Sequence, residues 1–386
     1  MTGSPFLGLG GAVPSESSPA VAGHYGNPMV EQRRLERGEA IVDLSDRGVV
    51  TVTGPDRLSW LHSMASQSFD RLAPGEGIEA LLLDAAGHIE HAVHAVDDGE
   101  TVWLVVEGDE AAPLAAWLDR MRFMLRVEVA DRSAESAVLA AMSTSALDAA
   151  VPAYAPAGVA LDWVDPWATG PRPGGHQYAD AAGHPASGWR LIERIVPRPA
   201  LAAAAEAVAA GRVAVAGALA LDALRIAAWR PRLASEVDEK TIPHELDWLR
   251  SAVDLGKGCY KGQETVAKVL NLGRPPRRLV LLHLDGSDTV LPAPGDEVVG
   301  EKVRPEPADG EAPERRVVGR VTSSAMHHEL GPIALAVVKR AVPAELPLIV
   351  LSHGIDIAAA QVEIVPAGAG AAVEVPRLPR LGVRKP

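Results

Sequence analysis

The alternating, β-branched run Val49–Thr53 reads as a strand. Thr53-Gly-Pro-Asp56 follows it as a helix start, with Thr53 as cap and Pro55 in the first turn, and Leu58, Leu61 and Ala65 give that helix an apolar face. Ala80–Asp84, Ile89–Val96 and Thr101–Val106 form a meander broken at Ala86-Gly87 and Asp97-Asp98-Gly99, both tight-turn sequences. Leu114, Trp117, Leu118 and Met121 recur at helical spacing and predict a helix over Asp109–Phe123, after which Arg126–Val129 returns as a strand. Hairpins and helices are segregated, the pattern of an α+β unit.

Pro152–Ser187 is dense in Pro and Gly and reads as a long excursion. Pro199–Ala210, Ala218–Trp229, Thr241–Arg250 and Gln263–Leu272 read as helices, the last closed by Gly273. From Arg277 the texture changes to short apolar segments: Leu279–Leu284, Glu297–Val299, Val317–Thr322, Ile333–Val338, Leu348–Leu351 and Ala360–Ile364. Such spacing predicts a small β-barrel, interrupted by a Pro-, Gly- and acid-rich loop at Arg304–Pro313. The resulting division is a disordered tail over 1–29, a first α+β domain over 30–135, a second over 136–276, a barrel over 277–370 and a basic tail over 371–386.

At 386 residues the chain is too long for one ordinary core. Aromatics make up only 4% of it, so the cores must rest on Ala, Val and Leu. A net charge of −13 disfavours direct binding of nucleic acid or anionic lipid. The first residues lack the basic and apolar regions of a secretory signal, and the apolar window Leu201–Trp229 is broken by Glu206, Arg212 and Asp222. A cytoplasmic protein without a membrane span is expected. There is one cysteine, so no internal disulfide forms.

That cysteine lies in Lys257-Gly-Cys-Tyr-Lys-Gly-Gln-Glu264. Gly256, Gly258 and Gly262 permit unusual backbone conformations, and Cys259 falls just before a helix beginning near Gln263. The helix dipole and the flanking Lys257 and Lys261 all favour a thiolate, the state in which a cysteine reacts. The competing reading is a small buried hydrophobe, which predicts an inaccessible sulfur.

Thr241-Ile-Pro-His-Glu245, the cysteine segment with its Lys257, Gly258, Cys259, Tyr260, Gly262, Gln263 and Glu264, and Asn271-Leu-Gly-Arg-Pro-Pro276 together resemble the YgfZ family. Val52-Thr-Gly-Pro-Asp56, Leu83-Asp-Ala-Ala-Gly87 and Val318-Gly-Arg-Val-Thr-Ser323 agree, so the resemblance spans about residues 30–370. It implies a three-domain disc with the fold of the glycine-cleavage T-protein, an aminomethyltransferase, ending in the small barrel. It also implies tetrahydrofolate as cofactor and iron–sulfur client enzymes, some of them tRNA-modifying, as partners. The role that the family assigns to its cysteine falls on Cys259. Arg225, Trp229, His244, Glu245, Gln263 and Arg274 become the expected folate contacts.

Two departures matter. Where the T-protein carries Gly-x-Ile-x-Asp-Asp, this chain reads Gly87-His-Ile-Glu-His-Ala92, so His91 and Ala92 replace the acid pair and a classical aminomethyl transfer is not expected. Where the family has Leu-Glu-Ala-Gly, the chain has Ile226-Ala-Ala-Trp229, so Ala227 replaces the Glu that bonds the pterin edge. Losing such a bond costs about 1.5–3 kcal/mol. An accessory factor for iron–sulfur assembly or repair is therefore the leading reading. A tetrahydrofolate-dependent aminomethyl- or methyltransferase or demethylase, and a thiol redox sensor, are the alternatives.

His88, His91 and His94 recur every third position. On a strand, His88 and His94 share a face and His91 points away, so they read as polar strand surface and no stably bound metal is expected. His327-His328 reads as a solvated turn. Arg274, Arg277 and Arg278 form a basic cluster able to meet an anion.

Overall fold

A computed structural model describes residues 3–287, 290–301 and 315–372. The acidic loop at 304–313 and the basic residues 377–385 lie outside the described residues.

The first segment holds a correction. Residues 3–29 do not form a loose tail. A 3₁₀ turn, Pro5–Gly8, is capped by Ser4, and β1 (Val13–Pro14) pairs with β2 (Ala22–His24). Phe6 is fully buried among Leu147, Val151 and Leu201, which stabilises the docked segment by about 1.5–3 kcal/mol. The Gly, Ser and Pro content suggested mobility, but one aromatic anchor fixes the segment. Helix α1 (Pro28–Glu36) is capped by Asn27, whose Oδ1 accepts from the amides of Met29 and Val30, and leads into β3 (Ala40–Asp43).

The first sheet is built from β4 (Gly48–Thr53), β5 (Gly77–Leu83), β6 (Ile89–Asp97), β7 (Thr101–Val106) and β8 (Glu128–Asp131), in the order β5-β6-β7-β4-β8. Its outer face carries α2 (Arg57–Met64) and α3 (Ala111–Met121), with Trp60, Leu61, Leu114 and Leu118 packed on Val50, Val52, Val93 and Leu104. Helix α2 begins at Arg57, later than Thr53 as cap would place it; Asp56 at its start takes Arg126 as partner, at 2.7 Å.

The second sheet joins β3 to β9 (Ser136–Ala141), β10 (Asp162–Val164), β11 (Ile192–Pro197) and β12 (Ala214–Ala216), in the order β10-β11-β9-β3-β12. The boundary at residue 30 is thus corrected: β3 pairs with β9, so the residues before β4 belong to the second unit. Helices α4 (Thr144–Ala150), α5 (Ala200–Ala209) and α6 (Ala218–Ala227) complete it. The Pro/Gly excursion is not featureless either, since it contains β10 and the fully buried Trp163 and Trp167.

Beyond α7 (Leu233–Glu236), the helix expected over Thr241–Arg250 divides into a 3₁₀ turn, Pro243–Leu246, and α8 (Leu249–Ala252). Asp247 interrupts it with φ +56°. Helix α9 (Gln263–Asn271) then precedes a closed barrel of β13 (Arg277–Leu284), β14 (Glu297–Glu301), β15 (Arg315–His327), β16 (Gly331–Lys339), β17 (Leu348–Ser352) and β18 (Ile355–Glu363). One core runs from Val42 and Leu81 through Val138 and Leu224 to Leu279 and Leu335, so both sheets and the barrel share it. No helix among the described residues is long and apolar enough to cross a membrane.

Candidate functional site

Cys259 is free and exposed, which removes the buried-hydrophobe reading. The backbone around it explains how an exposed loop stays in place. Gly262 has φ +83°, and a Cβ there would lie 2.7 Å from the Asp84 carbonyl oxygen and 3.0 Å from the Gly87 Cα. A Cβ on Gly87, in the turn between β5 and β6, would lie 2.8 Å from the Thr265 Cβ. The cysteine loop therefore presses backbone to backbone on the first sheet's turn. Tyr260 is buried in the shared core beneath it.

The two flanking lysines do not turn to the sulfur. Lys257 Nζ donates to the carbonyls of His62, Ala65 and Gln67 and lies 5.0 Å from the Tyr260 ring centroid. Burial pushes its pKa down to about 8, while the nearby Asp254 and Asp70 carboxylates favour the ammonium form. Lys261 pairs with Glu90 at 3.1 Å. Both ammonium groups fasten the loop to the first domain. Gln263 Nε2 donates weakly to the Lys257 and Gly258 carbonyls at 3.4 Å, and Glu264 is exposed.

The remaining expected folate contacts do not converge. Glu245 is fully buried and holds Arg277 through its Nε at 3.0 Å and an Nη at 2.8 Å, tying the turn before α8 to β13. His244 is buried, with Nε2 3.0 Å from the Val266 carbonyl oxygen, and burial pushes its pKa down to about 4. Arg274 is exposed, Arg277 is spent on Asp238 and Glu245, and Arg278 is buried inside the barrel end, so the three arginines form no common anion site. His327 is also no solvated turn residue: it is buried, and its Nδ1 accepts from the amides of Glu329 and Leu330.

Arg225 alone among them lines a cavity at the junction of the two sheets. This cavity lies between β6, β7, β11 and α6. A narrow inner part of ≈ 80 Å³ shares Asp46, Glu107, Asp222, Arg225 and Arg232 with a wider outer chamber of ≈ 770 Å³. Cys259 and Trp229 line neither part. Ser17 and Ser18 of the N-terminal segment line both parts. Arg225 is held by Asp222 at 2.7 Å and by Ser323 of β15 at 2.7 Å.

The inner end holds a charged network that local sequence patterns do not announce. Arg230 donates from Nε to Asp165 at 2.9 Å and from one Nη to Glu79 at 2.6 Å. Glu79 also accepts from Trp248 Nε1 at 2.9 Å and from Ser251. His94 stacks on Trp163 with centroids 3.7 Å apart, and its Nδ1 lies 2.7 Å from Glu193. Burial opposes the Glu193 charge, yet His94, Arg47 and Arg230 outweigh it and hold the carboxyl below its ordinary range. One nitrogen of Arg230, Nη1, is buried with no partner, an arrangement that costs about 1–3 kcal/mol when nothing fills it.

The break after α6 aims this arginine. Trp229 has φ +59°, a left-handed conformation that glycine adopts without strain; for a tryptophan it costs about 1–2 kcal/mol. Its indole packs edge-on to His184 at 5.0 Å and lines neither part of the cavity. Ala92 and His94 both line the cavity, one step apart on the same strand face, while His91 turns outward to Glu110 and Trp117. Among the described residues, no group of three or more His, Cys, Asp or Glu side chains is placed to hold a metal ion.

No protein-family model matches the chain. It is 25% identical over 261 residues to a putative chloroplastic transferase of Arabidopsis thaliana; the alignment takes in 65% of this chain and spans only 57% of that relative's length. It is 28% identical over 320 residues to the aminomethyltransferase of Moorella thermoacetica, covering 81% of this chain and 82% of the relative. The crystal structure of glycine cleavage system aminomethyltransferase T from Bartonella henselae superposes with a TM-score of 0.69 at 18% identity, over 94% of this chain and 95% of that one. The chain therefore has the aminomethyltransferase fold.

Proposed function

We propose that this chain is a folate-binding-fold accessory factor of the YgfZ kind, which supports assembly or repair of iron–sulfur proteins, tRNA-modifying enzymes among them, through Cys259. The observation that carries the reading is the exposed sulfur on a loop clamped by Gly87, Gly262 and two anchored lysines. A cluster ordinarily takes about four thiolates or equivalent ligands, and this chain has one cysteine. Its chemistry is therefore transient. The thiol releases its proton to solvent, the sulfur bonds to an iron of the client's cluster, and a water or thiolate ligand leaves that iron. An exposed sulfur suits a partner that arrives from outside; a buried one would not.

Tetrahydrofolate is the cofactor in this reading. The cavity fits a flat ring: Leu44, Val105, Leu191 and Leu221 supply apolar wall, and Arg230 Nη1 supplies a buried donor without a partner. Arg230, His94 and Arg225 would hold it, and the bound folate would supply a reduced ring able to accept one carbon.

The test is activity of an iron–sulfur tRNA-modifying enzyme in cells lacking this chain. Wild type should restore it, and Cys259→Ala, purified with unchanged circular dichroism, should not. Full restoration by the alanine variant rejects the accessory role.

The transferase reading has its own support. Relatives named aminomethyltransferases cover most of this chain, and His94 places a proton-carrying group two residues from Ala92 on the cavity face. Turnover of a methylamine donor with tetrahydrofolate, lost in His94→Ala and kept in Cys259→Ala, would favour it.

A further inference from the structure

We propose that Arg230 sets the ligand specificity of the cavity: its free Nη1 donates to a carbonyl-type acceptor on a flat heteroaromatic ligand, so the site favours an acceptor edge over an amino edge. The inference rests on the folate reading above and sharpens it.

Three observations lead here. Arg230 is 4% exposed, and Nη1 is buried without a partner on a residue that lines the cavity. The guanidinium cannot swing to satisfy itself, because Asp165 and Glu79 grip its other two nitrogens and Trp167 lies under it, 5.2 Å from ring centroid to guanidinium carbon. Those two carboxylates are themselves fixed. Asp165 accepts from Trp189 Nε1 at 2.7 Å and from the Trp167 amide at 2.9 Å, and Glu79 accepts from Trp248 and Ser251. The donor is thus held in place by carboxylates that are each engaged by two further groups.

The third observation concerns what is missing. Position 227, where the resembling family has a carboxylate that accepts from the donor edge of a pterin, is alanine. The end of this helix offers no acceptor at 227, and three residues later Arg230, with its unpartnered Nη1, lines the cavity. A pteridine would meet Arg230 with its C4 carbonyl oxygen. A trapped water would also satisfy Nη1, but it would leave ligand binding indifferent to the group at C4.

The experiment is calorimetric titration of the purified full chain with tetrahydrofolate and with its 4-amino-4-deoxy analogue, in which that oxygen becomes an amino group. Wild type should bind the amino analogue at least about tenfold more weakly. Arg230→Lys keeps a cation between Glu79 and Asp165 but lacks Nη1, so the discrimination should shrink to within about threefold. If that variant does not fold, the wild-type comparison decides alone. Equal or tighter binding of the amino analogue overturns the inference and leaves the folate reading standing. Failure of both ligands to bind at millimolar concentration brings down the two together.

Discussion

The cysteine loop and the inner cavity are both held tightly, by opposite means. The loop at 256–262 is at the surface, and its position comes from glycine backbone packed on backbone, with Lys257 and Lys261 as guy ropes to the first domain. The cavity end is buried, and its position comes from charges: Glu79, Asp165 and Glu193 compensated by Arg230, His94 and two indole N–H groups. Shape fixes the first without removing the sulfur from solvent. Electrostatics fixes the second because its charges answer one another, with Arg230 Nη1, Arg47 Nε and Asp46 Oδ1 left without partners. A surface thiol on a stiff mount suits exchange with a partner protein, whereas a buried charged pocket suits selection of a small ligand.

The comparison breaks most sharply at Glu79. Glu79→Ala leaves a buried guanidinium short of a carboxylate and should destabilise the chain by about 3–5 kcal/mol in urea unfolding. A loss below about 1 kcal/mol would mean that water reaches the network and the cavity is not dry. On the loop side, Gly262→Ala meets both the left-handed backbone and the Asp84 carbonyl, so about 1–3 kcal/mol should be lost. Unchanged stability there would show a loop that is not clamped.

A pH series separates the regions further. His244, beneath the loop, titrates at about 4 in the folded chain because burial disfavours its cation, against an ordinary value of 6.5. The unfolded chain takes up that proton first, so stability falls as pH drops from about 6.5 to about 4, by up to about 1.4 kcal/mol per pH unit. Asp247, held near 7 by burial, opposes it: raising the pH from about 4 to about 7 costs stability, since the folded chain keeps a proton that the unfolded chain has released. The two slopes largely cancel in the wild type, so His244→Gln should unmask a fall in stability as pH rises from about 4 to about 7, and Asp247→Asn a rise over about 4 to 6.5, both read from unfolding midpoints.

The smallest effect belongs to the sulfur. Cys259→Ser should shift stability by less than about 0.5 kcal/mol, because the side chain is exposed. Maleimide should label Cys259 in the native chain about as fast as in urea. Slow native labelling would return the residue to the core.

Much of the architecture was legible because it is written in local patterns. The strand Thr101–Val106 and the apolar segments from Leu279 to Leu351 lie where the period-two runs put them, since alternation must match a buried face wherever a sheet forms, while β18 begins at Ile355, five residues before the expected Ala360. The cysteine loop was legible for a related reason: glycines at 258 and 262 and a helix starting at Gln263 are neighbours in the chain. What failed was whatever depended on distant partners. The N-terminal segment looked mobile until Phe6 met Leu147 and Leu201. Trp229 looked like a ligand contact until its left-handed backbone turned the indole toward His184 and Arg230 toward the cavity.

By itself, then, the sequence determined the kinds of elements, their order and the presence of one reactive residue type on a glycine-bent loop, because these follow from side-chain period and backbone freedom within a few residues. Only the tertiary structure decided which charges lie inside. Glu79, Asp165, Glu193 and Arg230 are single polar letters in apolar surroundings, up to 151 residues apart, and a buried charge has meaning only through the partner that folding brings within 3 Å of it.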